Sequence, residues 1–457
     1  MKRQAFLTVD LGFGDAGKGS IVDFLTRTYG AHTVIRYNGG AQAGHRVVAL
    51  AADGVTVQDH VFAQFGAGTF AGAATHLSRF MLLDPLAMMA EAVHLHTLGI
   101  HDVFQRTTID CAAVVITPFQ RAVNRVREVL RGAGRHGSCG MGIGETAADR
   151  LAYGDQVLLA GDLTDRDRLY RKLAFLRTIN LAKVAPLRDQ IAACEQAAPE
   201  MAWLLDPAWD EWLLDVYDEF SRQVQFVPGS YLSTVLAQPG AVVFEGAQGV
   251  LLDEWAGFHP HTTWSTTTLA NADQLLTEAN YGGQVTRIGI TRAYATRHGA
   301  GPLVTEDDIL TAALPDACNT TGLWQQGFRV GWLDLVMLRY ALAVVGPLDY
   351  LAVTCLDRLA ALAEVKLCTH YCEDAGCVAA ITPSPRHHDL VYQEQLTARL
   401  QQCRPHLVTL PDCDALLTAL TTALGVPVGV VSYGPTATEK QLLAVPTQQS
   451  YASNRQA

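Results

Sequence analysis

No stretch of this chain approaches 18 consecutive apolar residues, so nothing in it reads as a membrane-spanning helix. The first residues run straight into a short apolar segment, without a charged leader and a long apolar run behind it. No signal peptide is therefore expected, and a cytoplasmic location is. Charge is sparse and of one prevailing sign: charged residues make up 17% of the chain and the formal net charge is −11. That balance argues against a broad nucleic-acid surface while leaving room for a local basic pocket that takes a small anion. The ten cysteines are scattered and show no framework of a secreted disulfide domain, so they read as a reduced, cytosolic set. Cys368, His370, Cys372 and Cys377 do lie close together. Zinc sites favour tighter pairs with a second pair elsewhere, and the segment reads instead as a strand and turn running to Asp374-Ala375-Gly376. No linker, internal repeat or low-complexity stretch interrupts the chain.

The 457 residues, 49% of them apolar, can bury a sizeable core. Short β-type runs recur at Val34–Tyr37, Ala113–Ile116, Ala241–Phe244, Ile288–Thr291, Tyr350–Thr354 and Val428–Ser432. Helical patterns lie between them, as at Leu82–Leu98 and Trp332–Val345. Strands alternating with helices predict an α/β fold, a single large domain with a mostly parallel central sheet. The domain is expected to span 1–447, with a helical subdomain at about 151–235, where Trp203, Trp209 and Trp212 sit among leucines as core. A polar tail follows at 448–457.

The strongest local signal is Gly12-Phe13-Gly14-Asp15-Ala16-Gly17-Lys18-Gly19-Ser20, between the apolar run Ala5–Val9 and the helical pattern from Ile21. Glycines at a strand-to-helix turn let backbone N–H groups approach a phosphate, and the helix N-terminus adds partial positive charge. Lys18 adds a full charge. The spacing resembles a P-loop, but Gly19 stands where that motif places Ser or Thr.

Other motifs also follow strands. Arg36-Tyr37-Asn38-Gly39-Gly40-Ala41-Gln42-Ala43-Gly44-His45-Arg46 crowds glycines around a histidine able to act as an acid near neutral pH. Phe244-Glu245-Gly246-Ala247-Gln248-Gly249 presents an amide suited to an oxo group and a ring N–H. Hydroxyls from Thr262 to Thr268 suit phosphate oxygens, although a polar loop is the plain alternative. Arg292 to Pro302 combines two cations with a glycine turn. Asp357, just after Val353-Thr354-Cys355-Leu356, could accept the ring N–H and exocyclic amine of guanine, and Ser432-Tyr433-Gly434-Pro435 could close over the same base.

Taken together, in order and spacing, these segments resemble the adenylosuccinate synthetase family from Val9 to about Glu439. The resemblance implies a GTP-dependent ligase, usually a homodimer. It transfers the GTP γ-phosphate to the 6-oxo group of inosine monophosphate (IMP), and an amine, normally that of aspartate, then displaces phosphate. It implies that Asp15 takes the purine N1 proton and binds Mg2+ together with the Gly44 carbonyl, and that His45 donates to the transferring group. GTP is implied to lie against Gly14, Ala16, Gly17, Lys18, Gly19, Gly44, His45 and Arg46. Its guanine is implied to lie against Cys355, Leu356, Asp357 and Ser432, Tyr433, Gly434, Pro435. IMP is implied to meet Asp15, Gln42, Cys139, Gln248, Thr263, Arg297 and Gly299. No nucleic-acid or membrane partner is expected.

The departures from the family pattern are as informative. The loop has Ala16 for Glu and Ser20 for Lys; Cys355 stands where Lys is usual; Cys139 replaces a phosphate-binding threonine, a poorer hydrogen-bonding group. The arginine normally supplied by a neighbouring subunit has no direct match, since Arg150 is out of register. The amine-recognition loop keeps Thr320 and Thr321, but its arginine run is rewritten as Leu323-Trp324-Gln325-Gln326-Gly327-Phe328-Arg329. Arginine forks are the natural receptors for two carboxylates. The rewritten loop therefore points to aspartate held by a re-routed Arg329, or to a paralogous ligase that uses a less acidic amine or another 6-oxopurine nucleotide. A non-catalytic GTP binder is the third reading, disfavoured by retention of both Asp15 and His45.

Overall fold

The computed structural model describes residues 2–51, 53–135, 137–316, 319, 324, 327–374 and 376–443. Its centre is a ten-stranded sheet. From one edge the strands are Lys440–Leu442, Val428–Ser432, Tyr350–Thr354, Gln284–Arg292 and Arg3–Asp10, then Gly240–Glu245, Ala31–Arg36, Ala74–Leu77, Thr107–Asp110 and Gln225–Val227. Every neighbouring pair is parallel except the edge strand Lys440–Leu442. All the parallel strands therefore end on one side, where ligands of open α/β sheets gather.

The strands are near-continuous apolar runs because both faces of the sheet are covered. Alternate residues feed two separate cores, as the period of two requires. Phe6 and Val243 point into one; Ala5, Leu7, Val9, Val242 and Phe244 point into the other. Helices Arg166–Val184 and Ala208–Gln223 contribute Leu169, Leu173, Leu176, Tyr217 and Phe220 to the first core, so the helical stretch shares its interior with the sheet. Helix Leu335–Val345 packs Val336, Leu338 and Tyr340 into the second. Each fully buried side chain of this kind is worth about 2 kcal/mol of transfer free energy.

Several elements are shorter than their patterns suggest, for local reasons. The helix expected from Leu82 starts at Pro85, because Asp84 accepts the Ala87 N–H as a cap and proline favours the first turn. The helix expected from Trp332 starts at Leu335, where Asp334 accepts from Val336 and Met337. Of Ala113–Ile116 only Val114–Val115 pairs, and it pairs with Leu82–Leu83 outside the main sheet. Trp203, Trp209 and Trp212 pack on one another, with Trp203 and Trp209 centroids 4.1 Å apart, yet Trp212 is 41% exposed rather than core.

Candidate active site

The turn from Leu11 to Gly17 leaves the central strand and enters helix Lys18–Tyr29. Gly14, Asp15 and Gly17 all have positive φ, at 93°, 58° and 82°. Only Asp15 carries a side chain in that strained region, and the backbone is held there from outside: Arg292 Nε donates to the Asp15 carbonyl at 2.5 Å. Gly19 is required by space. A Cβ at Gly19 would lie 2.7 Å from the His45 carbonyl carbon, which explains the missing hydroxyl residue and puts the His45 strand directly against the loop.

Asp10, which sequence reasoning passed over, organises this turn. It is buried at the end of the first strand, accepts the Gly12 and Ala16 N–H groups at 2.8 and 3.1 Å, and pairs with Lys18 Nζ at 2.7 Å. Lys18 thus closes back on the base of the loop. Thr354, at the end of its strand, donates to the Ala16 carbonyl at 2.8 Å and ties the loop to the segment Cys355–Asp357.

His45 opens a hairpin and is buried; its Nδ1 lies 2.5 Å from Glu245 Oε1. Glu245 Oε2 accepts the Ala67 N–H at 2.9 Å. Burial pushes the Glu245 carboxyl up, but the pull of Arg36, its partner on the adjacent strand, and of His45 outweighs it and holds the group below its ordinary range. Burial likewise holds His45 below the ordinary histidine range against the attraction of Glu245. The ionised carboxylate fixes the proton on Nδ1 and leaves His45 Nε2 buried and, among the described residues, without a hydrogen bond. Glu245 was visible in the sequence as the end of a strand; only the fold places it behind His45.

Asp15's carboxylate is partly exposed, with His298 Nε2 at 3.6 Å, too long for a hydrogen bond. His298 Nε2 meets Asn319 Oδ1 at 3.1 Å, its Nδ1 has no hydrogen bond among the described residues, and its ring packs on Phe328. Gln248 has positive φ and a buried Oε1 without a hydrogen bond among the described residues, and the same holds for both polar ends of Gln42. Such orphaned groups cost free energy unless a ligand completes them. Asn38 locks the strand ends together, bonding Ala247 through both its carbonyl and amide groups and Thr266 through its amide. Gly44 lies beside His45 at the surface, and Thr263 is held by its N–H to the Leu252 carbonyl at 2.8 Å.

The expected guanine side gathers a residue the sequence did not flag. Lys440 Nζ reaches the carbonyls of Gly434, Pro435 and Thr436 at 3.2, 3.3 and 2.9 Å. Burial lowers its pKa to about 8, against the pull of Asp23, Glu439, Cys355 and Asp357. Asp357 is exposed in the first turn of helix Leu356–Ala360, Leu356 is buried, and the Ser432 hydroxyl donates to Gly434 O at 3.0 Å. Tyr433 is half-exposed.

Other expected contacts are committed within the protein. Arg46 forks onto Asp59 in the hairpin at 2.8 and 2.6 Å. Arg297 is buried, donates to the carbonyls of Ala300, Pro302 and His261, and stacks 4.2 Å over Phe13. Burial and Arg329 lower its pKa to about 9. Arg329 donates to the Gly299 and Gly301 carbonyls and pairs with Glu306 at 2.6 Å. Both arginines thus clamp the 297–302 turn, in which Gly299 and Gly301 have positive φ. Cys139 is half-buried, and burial pushes its thiol up, so it stays a weak donor. Thr320 and Thr321 lie outside the described residues. Behind Gly12–Gly14 an apolar cavity is lined by Phe13, Leu251, Leu303, Leu333 and Met337. Asp334 lies at its edge, its carboxyl raised to about 6 by burial.

Residues 8–441 match the family model for adenylosuccinate synthetase. An adenylosuccinate synthetase of Chlorobaculum tepidum is 32% identical over 94% of this chain and 95% of its own. Among solved structures, a fully ligated adenylosuccinate synthetase from Plasmodium falciparum aligns with TM-score 0.76 and 19% identity, over 97% of this chain and all of that one. A cyanophage S-2L succinoaminodeoxyadenylate synthetase, bound to dGMP and dATP, aligns with TM-score 0.60 and 16% identity over 98% and 97%. At these identities the two structures speak to the fold.

Proposed function

The chain belongs to the adenylosuccinate synthetase family, and on that premise we propose that it joins an amine to C6 of IMP, driven by GTP. The observation that carries this reading is the His45–Glu245 pair packed against the glycine loop, with His45 Nε2 left unbonded. A mere nucleotide binder has no need of an oriented, buried imidazole with one nitrogen open.

Asp15 accepts the N1 proton of the purine, which makes O6 the nucleophile. O6 attacks the γ-phosphorus, and the bond from that phosphorus to the β–γ bridging oxygen breaks as GDP leaves. Burial biases His45 toward its neutral form in the free protein, against the attraction of Glu245. Phosphate charge arriving at Nε2 favours the protonated form, which can then donate to the transferring group. The amine next attacks C6, phosphate departs with the C6–O6 bond, and the amine gives up a proton. The Asp15 carboxylate, free of hydrogen bonds, and the Gly44 carbonyl are hard oxygen donors that suit Mg2+, which offsets phosphate charge when bound. Residues Gly14 to Gly19 would line the phosphates; Cys355–Asp357 and Ser432–Pro435 the guanine; Gln42, Cys139, Gln248 and Thr263 the IMP side. A homodimer is the assembly that goes with this reading.

A second reading concerns the amine. Arg329, the one arginine kept in the rewritten loop, is spent on Glu306 and two carbonyls. This favours an amine with less negative charge than aspartate. One experiment tests both readings: phosphate release from GTP with IMP, Mg2+ and a panel of amino acids, with products identified by mass. Turnover with no amine tested would overturn the ligase reading. Formation of adenylosuccinate from aspartate at ordinary rates would overturn the second.

A further inference from the structure

The small sheet beside the second core carries a cluster that the ligase reaction leaves unused. Its strand Val365–Glu373 is flanked antiparallel by Gly376–Val378 and Arg404–Leu410. His370 and Cys372 are two residues apart and share a face. Cys372 sits directly opposite Cys377, and His370 directly opposite His406. Four residues, two thiols and two imidazoles, are thereby brought to one face of three strands. Ligand atoms of His370, Cys372 and Cys377 lie within 4.8 Å of one another. The His406 ring stacks on that of His370, centroids 4.2 Å apart and planes at 18°.

The backbone contributes to this convergence. The register shifts between Cys368 and His370, so Thr369 is an extra residue in the ladder. Its hydroxyl lies 3.0 Å from His370 Nδ1 and 3.4 Å from His406 Nδ1. One oxygen thus engages the same nitrogen of both rings and leaves each Nε2 without a hydrogen bond among the described residues, as a hydrogen bond on the far nitrogen orients a metal-bound histidine.

We propose that His370, Cys372, Cys377 and His406 bind one Zn2+ in a structural Cys2His2 site. Thiolate and imidazole donors select zinc over the magnesium expected at the phosphates. The Cys-x4-Cys spacing of 372 and 377 falls within the range of structural zinc ligands, and the second pair comes from two different strands. Tetrahedral zinc holds its donors about 3.3–3.8 Å apart, so closing His370, Cys372 and Cys377 from within 4.8 Å needs about 1 Å of side-chain movement, while His406, outside that spacing, must turn off the His370 ring to complete the four. Both cysteines are exposed and free, which gives the rotamers that room. The site staples the strand whose opposite face sends the Tyr371 hydroxyl to Asp334 Oδ2 at 2.5 Å. The inference is independent of the nucleotide reading.

The test uses the full chain, free of any affinity tag, expressed with zinc and then gel-filtered. Elemental analysis should give one zinc per chain, falling to background in the Cys372→Ser, Cys377→Ser double variant and dropping in His406→Asn. In the wild-type protein, alkylation mapped by mass should find Cys372 and Cys377 protected until a chelator is added, and this measurement does not depend on a variant folding. Cobalt(II) should replace zinc and give a thiolate charge-transfer band. Three results would overturn the site: wild-type protein that holds no zinc after resupply, a Cys372–Cys377 disulfide in the purified chain, or full zinc content in the folded double variant.

Discussion

The phosphate-loop side of the cleft and the 297–302 turn are built from similar charged residues and use them in opposite ways. At the loop, His45 keeps Nε2 unbonded and the Asp15 carboxylate stays out of hydrogen bonds. Their neighbours Glu245 and Arg292 hold them from behind. At the turn, Arg297 and Arg329 give their guanidinium groups to five backbone carbonyls and Glu306. A group held from behind with one atom open is poised for a ligand. A group paired all round is scaffold, whatever its place in a motif. The contrast separates side chains placed to meet a ligand from side chains spent on the fold.

The strongest way to break the loop side is Asp10→Ala. It strands Lys18 as a buried cation and removes the acceptor of two loop N–H groups. The expected loss is about 3–5 kcal/mol in urea unfolding, since breaking a buried ion pair leaves a charge uncompensated. A loss under about 1 kcal/mol would mean the pair does not organise the loop.

His45→Ala should lower kcat about 10²–10⁴-fold, the usual contribution of a positioned acid. Glu245→Gln should act in the same direction and move the pH profile, because the carboxylate sets the tautomer. Equal rates in wild type and His45→Ala would place the proton donor elsewhere.

Lys440 sharpens the comparison, because its charge is spent on carbonyls within the expected guanine side. Its folded pKa of about 8 lies below the ordinary 10.5. Between those values the unfolded chain binds more protons, so stability rises as pH goes from 8 to 10.5, by up to about 3 kcal/mol. Lys440→Met should flatten that rise in pH-dependent denaturation; an unchanged slope would remove Lys440 as its source.

The smallest effect belongs to the turn. Arg329→Ala should cost about 1–2 kcal/mol of stability, as charged hydrogen bonds of a part-buried group are lost, and leave the KM of the amine unchanged. A tenfold rise in that KM with stability intact would return Arg329 to the substrate.

Much of this was legible from residues alone. The strand–glycine–helix order from Ala5 to Leu25, the strands at 241–244, 350–354 and 428–432, and the family resemblance all rest on local pattern. Asp10, Glu245 and Lys440 were not legible as site residues. An acid ending a strand has the same sequence signature whether it faces solvent or a lysine eight residues on. The helix starts at Pro85 and Leu335 were missed because a single capping aspartate outweighs an apolar pattern that continues upstream of it. His406 could not be joined to Cys372 by spacing, since register across strands is a tertiary property.

By itself the sequence determined the α/β class, the strand–glycine–helix turn and the set of polar groups gathered around it, because those depend on periodicity and on residues within one turn of chain. Only the tertiary structure decided which charges are spent. Whether Lys18, Arg297, Arg329 or His45 is free for a ligand depends on which carboxylate or carbonyl a distant strand places within about 3 Å, and a buried ionic group is stable only where such a partner is supplied.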